Sequence, residues 1–188
     1  MNALEFHKTE IERLALVTPL YLPDDRGCLS KTFEVGQFAA HGIQFSLAEE
    51  LESKSGRNTL RGLHFQRRHS QDKLVRVLAG EVFDVAVDLR PRSPTFGKWQ
   101  GFRLSAENRH MLYIPKEFAH GFLVLSNEAV VHYLCGDQYD PSSEDGILWN
   151  DPELSIDWPL EKGTVPDLSN RDRAFHSFAA FRRSIGQE

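Results

Sequence analysis

Residues 57–66 read Arg57-Asn58-Thr59-Leu60-Arg61-Gly62-Leu63-His64-Phe65-Gln66. A fixed cation, a glycine that admits close backbone approach and an imidazole fall within four positions, flanked by Leu60, Leu63 and Phe65. That is a reactive set on a strand. Strict alternation puts Arg61 and His64 on opposite faces, so a shared pocket requires a kink, and Gly62 is where a bulge supplies it. Alone, one histidine is more often a half-buried core residue. Lys73 opens Lys73-Leu74-Val75-Arg76-Val77 and could stabilise a developing oxyanion beside His64. Tyr133 and Tyr139 bracket the turn of Tyr133-Leu134-Cys135-Gly136-Asp137-Gln138-Tyr139. A tyrosine at a strand end carries a proton at pH 7 that it can give to a carbanion, and a loop aromatic suits stacking on a planar base.

Positioning such residues needs a rigid scaffold, and the chain reads as one domain of 188 residues. Its barrel core spans about 55–140, preceded by N-terminal strands in 1–54 and followed by a wrapping tail, 141–188. Short strands are expected at 14–17 and 19–22, broken by a turn at Pro23-Asp24-Asp25-Arg26-Gly27. A helical piece from Glu34 to His41 should stop at Gly42. From Thr59 the pattern is almost wholly β, with turn signals at roughly the 8–12-residue spacing of a sandwich or barrel. In the tail, Arg173–Phe181 is expected to form a short helix, and Asp167-Leu168-Ser169-Asn170-Arg171-Asp172 has the composition of a loop that returns to a site. The fold expected is mainly β, an antiparallel jelly-roll barrel with short peripheral helices.

The net charge of -5 argues against non-specific nucleic-acid binding, though local cations suffice for a small anion. Cys28 and Cys135 lie far apart with no ligand spacing, which indicates neither a zinc site nor a disulfide framework and suits a reducing cytoplasm. Charges at Glu5, Lys8, Glu10, Glu12 and Arg13 leave no apolar segment for export, and no run approaches the roughly 18 apolar residues of a membrane span. The expectation is a cytoplasmic protein without a membrane partner.

Pro115 to His120, then Gly121 and an apolar strand, matches the second cupin motif, in which the histidine points into the barrel. Where the first cupin motif places His-x-His, this chain has His64-Phe65-Gln66, and two histidines alone make a poor metal site. No metal and no cofactor is therefore expected, and the histidines should act as acid, base or hydrogen-bond donor.

Colinear segments carry a wider resemblance: Arg26-Gly27, Leu60-Arg61-Gly62-Leu63-His64-Phe65-Gln66, Lys73-Leu74-Val75-Arg76-Val77, Gly80–Arg90, Ser93-Pro94-Thr95-Phe96-Gly97, Ile114-Pro115, Phe118–Ser126 and Trp149-Asn150-Asp151-Pro152. Over about residues 17–172 the chain resembles the dTDP-4-dehydrorhamnose 3,5-epimerase family. The resemblance implies a homodimeric cupin-type barrel acting on a nucleotide-linked 4-keto-6-deoxyhexose in deoxysugar biosynthesis. It implies His64 as base with Asp172 orienting it, Tyr133 as acid on the opposite face of the sugar, and Lys73 and His120 near the C4 oxygen and hexose. It also implies substrate-binding roles for Arg26, Arg61, Glu144 and Arg171, and stacking of Tyr139 on the nucleotide base.

Such an assignment agrees with the chemistry, because a proton alpha to a ketone leaves only with a positioned base and with donors or cations on the oxygen that becomes an enolate. Reprotonation from the other face completes the epimerisation at C3, C5 or both. The chain departs from the family pattern at Lys31, which replaces a glutamate, at Glu49-Glu50-Leu51, which replaces Gln-x-Asn, and at Arg171, which replaces a lysine. Lys31, Glu49 and Leu51 thus stand at substrate-binding positions that the resemblance assigns to nucleotide recognition; a carboxylate there only accepts, whereas amides match thymine's mixed edge. One reading is a GDP- or CDP-linked substrate; the alternative is that Lys31 and Glu49 pair with each other at the rim. A non-catalytic sugar-nucleotide-binding cupin is the reading from another class, and the retained His64 and Tyr133 weigh against it.

Overall fold

The structure, a computed structural model, describes residues 3–187. Period-two alternation of buried and exposed residues builds two antiparallel sheets. One contains, in spatial order, β1 (Glu5–Lys8), β2 (Ala15–Thr18), β10 (Met111–Ile114), β7 (Lys73–Ala79), β12 (Glu128–Cys135) and β5 (Glu49–Gly56). The other contains β13 (Glu144–Gly146), β6 (Leu60–Gln66), β11 (Phe118–Val124), β8 (Glu81–Asp88) and β9 (Trp99–Ser105). From β5 to β8 successive strands cross from sheet to sheet, which is the jelly-roll arrangement expected from the sequence.

Three apolar layers hold these sheets. Between them lie Val75, Val77, Val82, Ala86, Leu112, Phe122 and Val131. Outside the five-stranded sheet, Leu60, Leu63, Val85, Val87 and Leu123 pack under Leu154, Trp158, Leu168, Phe178 and Phe181 of the C-terminal segment. Outside the six-stranded sheet, α1 (Val35–Ala40) lays Phe38 over Leu74, Met111 and Tyr113. As expected, α1 closes at Gly42, whose φ is +78°.

Three elements differ from the sequence expectation. Strand β5 is absent from it because Glu49–Gly56 carries no apolar alternation: Glu50 and Lys54 face solvent and pair with His132 and Glu128, while Leu51, Ser53 and Ser55 face inward along a cavity rather than a dry core. The 23–27 turn is the tip of a longer hairpin, β3 (Leu20–Asp24) and β4 (Gly27–Lys31), which keeps Pro23 at an edge and forms a sheet of its own. The C-terminal helix is split into α2 (Asn170–Arg173) and α3 (Phe178–Ser184), because Ser169 and Ser177 each cap a new helix through Asp172 N–H at 3.0 Å and Ala180 N–H at 3.2 Å. Among the described residues no helix is long and apolar enough to cross a membrane.

Candidate active site

The bulge foreseen at Gly62 sets the site. Leu60 and Leu63 both face the outer layer, so Arg61 and His64 share the inner face. Pairing of β6 with β11 shows the same extra residue: Phe122 opposes Arg61 and His120 opposes His64, with a register shift between. Gly62 has φ +128°, and a Cβ there would lie 2.5 Å from Gly121 Cα and 2.8 Å from the His120 carbonyl oxygen. Only glycine fits.

A cavity of about 250 Å³ opens between the sheets beside these residues. The five-stranded sheet contributes Arg61, His64, His120, Phe122 and Glu144; the six-stranded sheet contributes Lys73, Tyr133, Cys135 and Leu51. Tyr139, from the loop after β12, and Arg171, from α2, complete the rim. His64 and Tyr133 therefore reach the cavity from opposite sheets.

Asp172 sits buried behind His64, with Oδ1 2.6 Å from Nε2. Burial opposes its ionisation, but the His64 hydrogen bond and charge, the Ser169 hydroxyl and Arg171 outweigh it and hold the carboxyl below the usual range. An ionised carboxylate only accepts, so Nε2–H donates and Nδ1 keeps the lone pair that a general base needs. The edge of the Phe175 ring packs on His64 at 5.5 Å between centroids.

His120 Nε2 lies 3.0 Å from both oxygens of fully buried Asp84. Asp84 escaped the sequence reading, although an acid at an inward position of the apolar run Val82–Val87 is a recognisable sign of a buried partner. Lys73 forms no ion pair among the described residues, and burial pushes its pKa down against the pull of Cys135, Glu144 and Asp84. An ammonium so placed is stabilised by an oxyanion arriving in the cavity. Burial pushes the Tyr133 phenol up, which keeps its proton in place at neutral pH.

At the rim, Glu144 accepts from the Tyr139 hydroxyl at 2.5 Å and from Arg171. Gln66 donates to the carbonyls of His69 at 2.6 Å and Gln138 at 3.2 Å and accepts from Asp140 N–H at 2.8 Å, which ties both rim loops to β6. Glu49 accepts from the Tyr139 backbone N–H at 2.8 Å, and Lys31 pairs with Glu34 at 2.7 Å. The Lys31–Glu49 pair considered from sequence is thus not formed, because each has a nearer partner. Arg26 and Lys31 sit on the β3–β4 hairpin, away from the cavity of their own chain. Among the described residues no three His, Cys, Asp or Glu side chains form a metal-binding group.

A family model described as dTDP-4-dehydrorhamnose 3,5-epimerase matches residues 8–180. The chain belongs to the dTDP-4-dehydrorhamnose 3,5-epimerase family. It is 47% identical over 173 residues to the enzyme of that name from Methanothermobacter thermautotrophicus, covering 92% of this chain and 94% of the relative. A dTDP-6-deoxy-D-glucose-3,5-epimerase from Legionella pneumophila, solved with dTDP-4-keto-L-rhamnose, superposes with a TM-score of 0.92 at 42% identity, covering 97% of each chain. A 3'-monoepimerase from Streptomyces bikiniensis, solved with dTDP-quinovose, superposes with a TM-score of 0.87 at 32% identity, covering 96% of this chain and 91% of the other. The 3,5-epimerase family thus includes this cupin-type barrel on both sequence and structure.

Proposed function

We propose that this chain is a cofactor-independent epimerase that inverts C3 and C5 of a dTDP-linked 4-keto-6-deoxyhexose in deoxysugar biosynthesis. The observation that carries this reading is the approach of His64 and Tyr133 to one cavity from opposite sheets, with the unpaired ammonium of Lys73 beside them. His64 removes a proton alpha to the ketone, and Asp172 stabilises the imidazolium that forms. Lys73 and His120 stabilise the C4 enolate oxygen, and Tyr133 delivers a proton to the opposite face. Arg61 and Arg171 bind the diphosphate, and Tyr139 stacks on the base with Glu144 fixing its hydroxyl. Glu49 accepts the Tyr139 backbone N–H through Oε1, and its buried Oε2 has no partner among the described residues, so this contact does not choose the base; the dTDP- and TDP-bound relatives are what support thymidine over a GDP- or CDP-linked substrate. Relatives inverting both carbons are nearer in identity than the monoepimerase.

Incubation of dTDP-4-keto-6-deoxyglucose with the protein in D2O, followed by proton NMR, tests the proposal. Deuterium entering at C3 and C5 of inverted product supports it. Exchange at one carbon corrects it to a mono-epimerase, and no exchange with dTDP-, GDP- and CDP-linked substrates overturns it in favour of a binding protein.

The Lys73 assignment carries its own pH dependence. Its pKa lies below the ordinary 10.5, and the charged form is the active one, so kcat/KM should fall on the alkaline side as pH rises through that lowered pKa. In Lys73→Ala the limb should vanish together with about 10²–10³-fold of kcat. A wild-type profile that stays flat up to pH 10.5 would remove Lys73 from this role.

The functional unit is a homodimer. Hairpin β3–β4 pairs with neither large sheet and exposes Tyr21, Leu22 and Leu29, the last at 68%. Docked on a second copy, it would cover this apolar surface and bring Arg26 and Lys31 to the other cavity. Light scattering should give twice 21.5 kDa, and Arg26→Ala should raise KM more than it lowers kcat. The two cysteines are free, Cys28 exposed and Cys135 buried, in keeping with a reducing cytoplasm.

A further inference from the structure

Tyr133 has to do two things that conflict in a buried site: keep its proton aimed into the cavity, and then hold the negative charge left behind when the proton goes to carbon. Its hydroxyl has one partner among the described residues, Ser53 Oγ at 3.3 Å. Ser53 is on β5, on the same face as the cavity-lining Leu51 and behind the Tyr133 hydroxyl, while Glu50, Glu52 and Lys54 take the outer face. Register fixes the approach: Leu51 opposes Tyr133 and Ser53 opposes Val131, so the serine meets the ring obliquely, two residues along the ladder.

We propose that Ser53 is the positioning residue for the acid of this epimerase, donating its hydroxyl hydrogen to the Tyr133 oxygen. This rests on the role assigned above to Tyr133. A serine hydroxyl has one hydrogen, and no carbonyl or carboxylate competes for it among the described residues. Once that hydrogen is given to Tyr133 Oη, the phenolic hydrogen cannot point back to Ser53 and is left for the cavity. When Tyr133 protonates the carbanion, its O–H bond breaks, a C–H bond forms, and the phenolate keeps the electron pair. The Ser53 bond then becomes charge-assisted and strengthens at the moment the charge develops. Burial raises the cost of that phenolate and the Ser53 bond lowers it, in the same site and on the same atom. The Arg61 charge also favours the phenolate, but among the described residues Ser53 is the one side chain within hydrogen-bond distance of the Tyr133 oxygen.

A donor to the acid affects how the enolate partitions after His64 has made it, and that ratio is internal to each enzyme molecule, so partial unfolding does not move it. The experiment follows dTDP-4-keto-6-deoxyglucose in D2O with wild type, Ser53→Ala and Ser53→Thr, measuring kcat, KM and the deuterium in recovered substrate relative to inverted product. Ser53→Ala should lower kcat about tenfold to hundredfold with KM little changed, the loss of a hydrogen bond to a charged group. Its enolate should return more often by way of His64, raising deuterium in recovered substrate over product by a similar factor. Ser53→Thr keeps the hydroxyl and should restore both quantities to within about threefold of wild type if the bond itself is what counts. A Ser53→Ala enzyme with the wild-type partition ratio overturns the proposal whatever its kcat, and so does a threonine variant as impaired as the alanine one. If wild type itself neither exchanges nor inverts, it is the epimerase reading that fails, and the comparison between variants is not reached.

Discussion

His64→Ala is expected to abolish deuterium entry at both C3 and C5 and to lower kcat by about 10²–10⁴-fold, the contribution of a positioned general base. The base depends on the buried carboxylate behind it. Asp172 holds Nε2 at 2.6 Å and stays ionised, so it fixes the neutral tautomer with a lone pair on Nδ1 and, in the proposed reaction, would stabilise the imidazolium formed by proton abstraction. His120 also lines the cavity with Nε2 on Asp84, but its pair is more deeply buried than that of His64, at 6% against 24% side-chain exposure of the imidazole, and in the proposed reaction it serves the enolate oxygen. The contrast with Tyr133→Phe makes the assignment sharp. Without the phenol, His64 can still form the enolate and return the proton to the same face, so exchange into substrate should persist while inversion is lost. NMR in D2O reads both quantities from one sample. Exchange that survives in His64→Ala would move the base to another residue. Because His64→Ala strips the buried Asp172 carboxylate of the partner that offsets its desolvation, the melting temperature should also fall, and the exchange into C3 and C5 per folded enzyme is the decisive readout.

The order of these effects explains what could be read in the sequence and what could not. The jelly roll is legible because inward Val82, Ala86, Phe122 and Val131 alternate with residues of the other face, and that pattern survives without knowledge of contacts. The bulge is legible because Arg61-Gly62-Leu63-His64 puts two chemically active side chains three positions apart with a glycine between. Strand β5 is illegible for the opposite reason: its inner face is Leu51, Ser53 and Ser55, polar because it lines the cavity, and its outer face is charged. So the strand that carries the partners of Tyr133 and Arg61, at 3.3 and 3.0 Å, has the composition of a loop. Asp172 shows a third case. Its link to His64 spans 108 residues, which no spacing rule reaches; family resemblance supplied it, and the Ser169 cap and the docking of α2 supply the geometry. The hairpin residues Arg26 and Lys31 fall between these cases: the resemblance marks them as binding residues, yet a single chain does not bring them to its own cavity.

Gly62→Ala is expected to destabilise the protein by about 3–5 kcal/mol, the sum of a strained backbone and an overpacked contact. The added Cβ would stand 2.5 Å from Gly121 Cα, an atom of the neighbouring strand's backbone with no rotamer to change, at a φ of +128° that side chains rarely adopt. Relief requires β6 and β11 to separate, and these strands hold His64 and His120 opposite each other. Activity should therefore fall further than the folded fraction does. For a chain of this length each kcal/mol is about 2–4 °C, so thermal unfolding should move down by roughly 10 °C. Gly27→Ala is the matched control: it shares the positive φ, at +138°, but its Cβ meets nothing within 4 Å. Strain alone predicts similar losses at the two sites, whereas the close approach of β11 predicts a much larger one at Gly62. A Gly62→Ala protein that melts with the Gly27→Ala protein and retains its rate would show that the bulge tolerates a side chain, and that Arg61 and His64 reach the cavity without it.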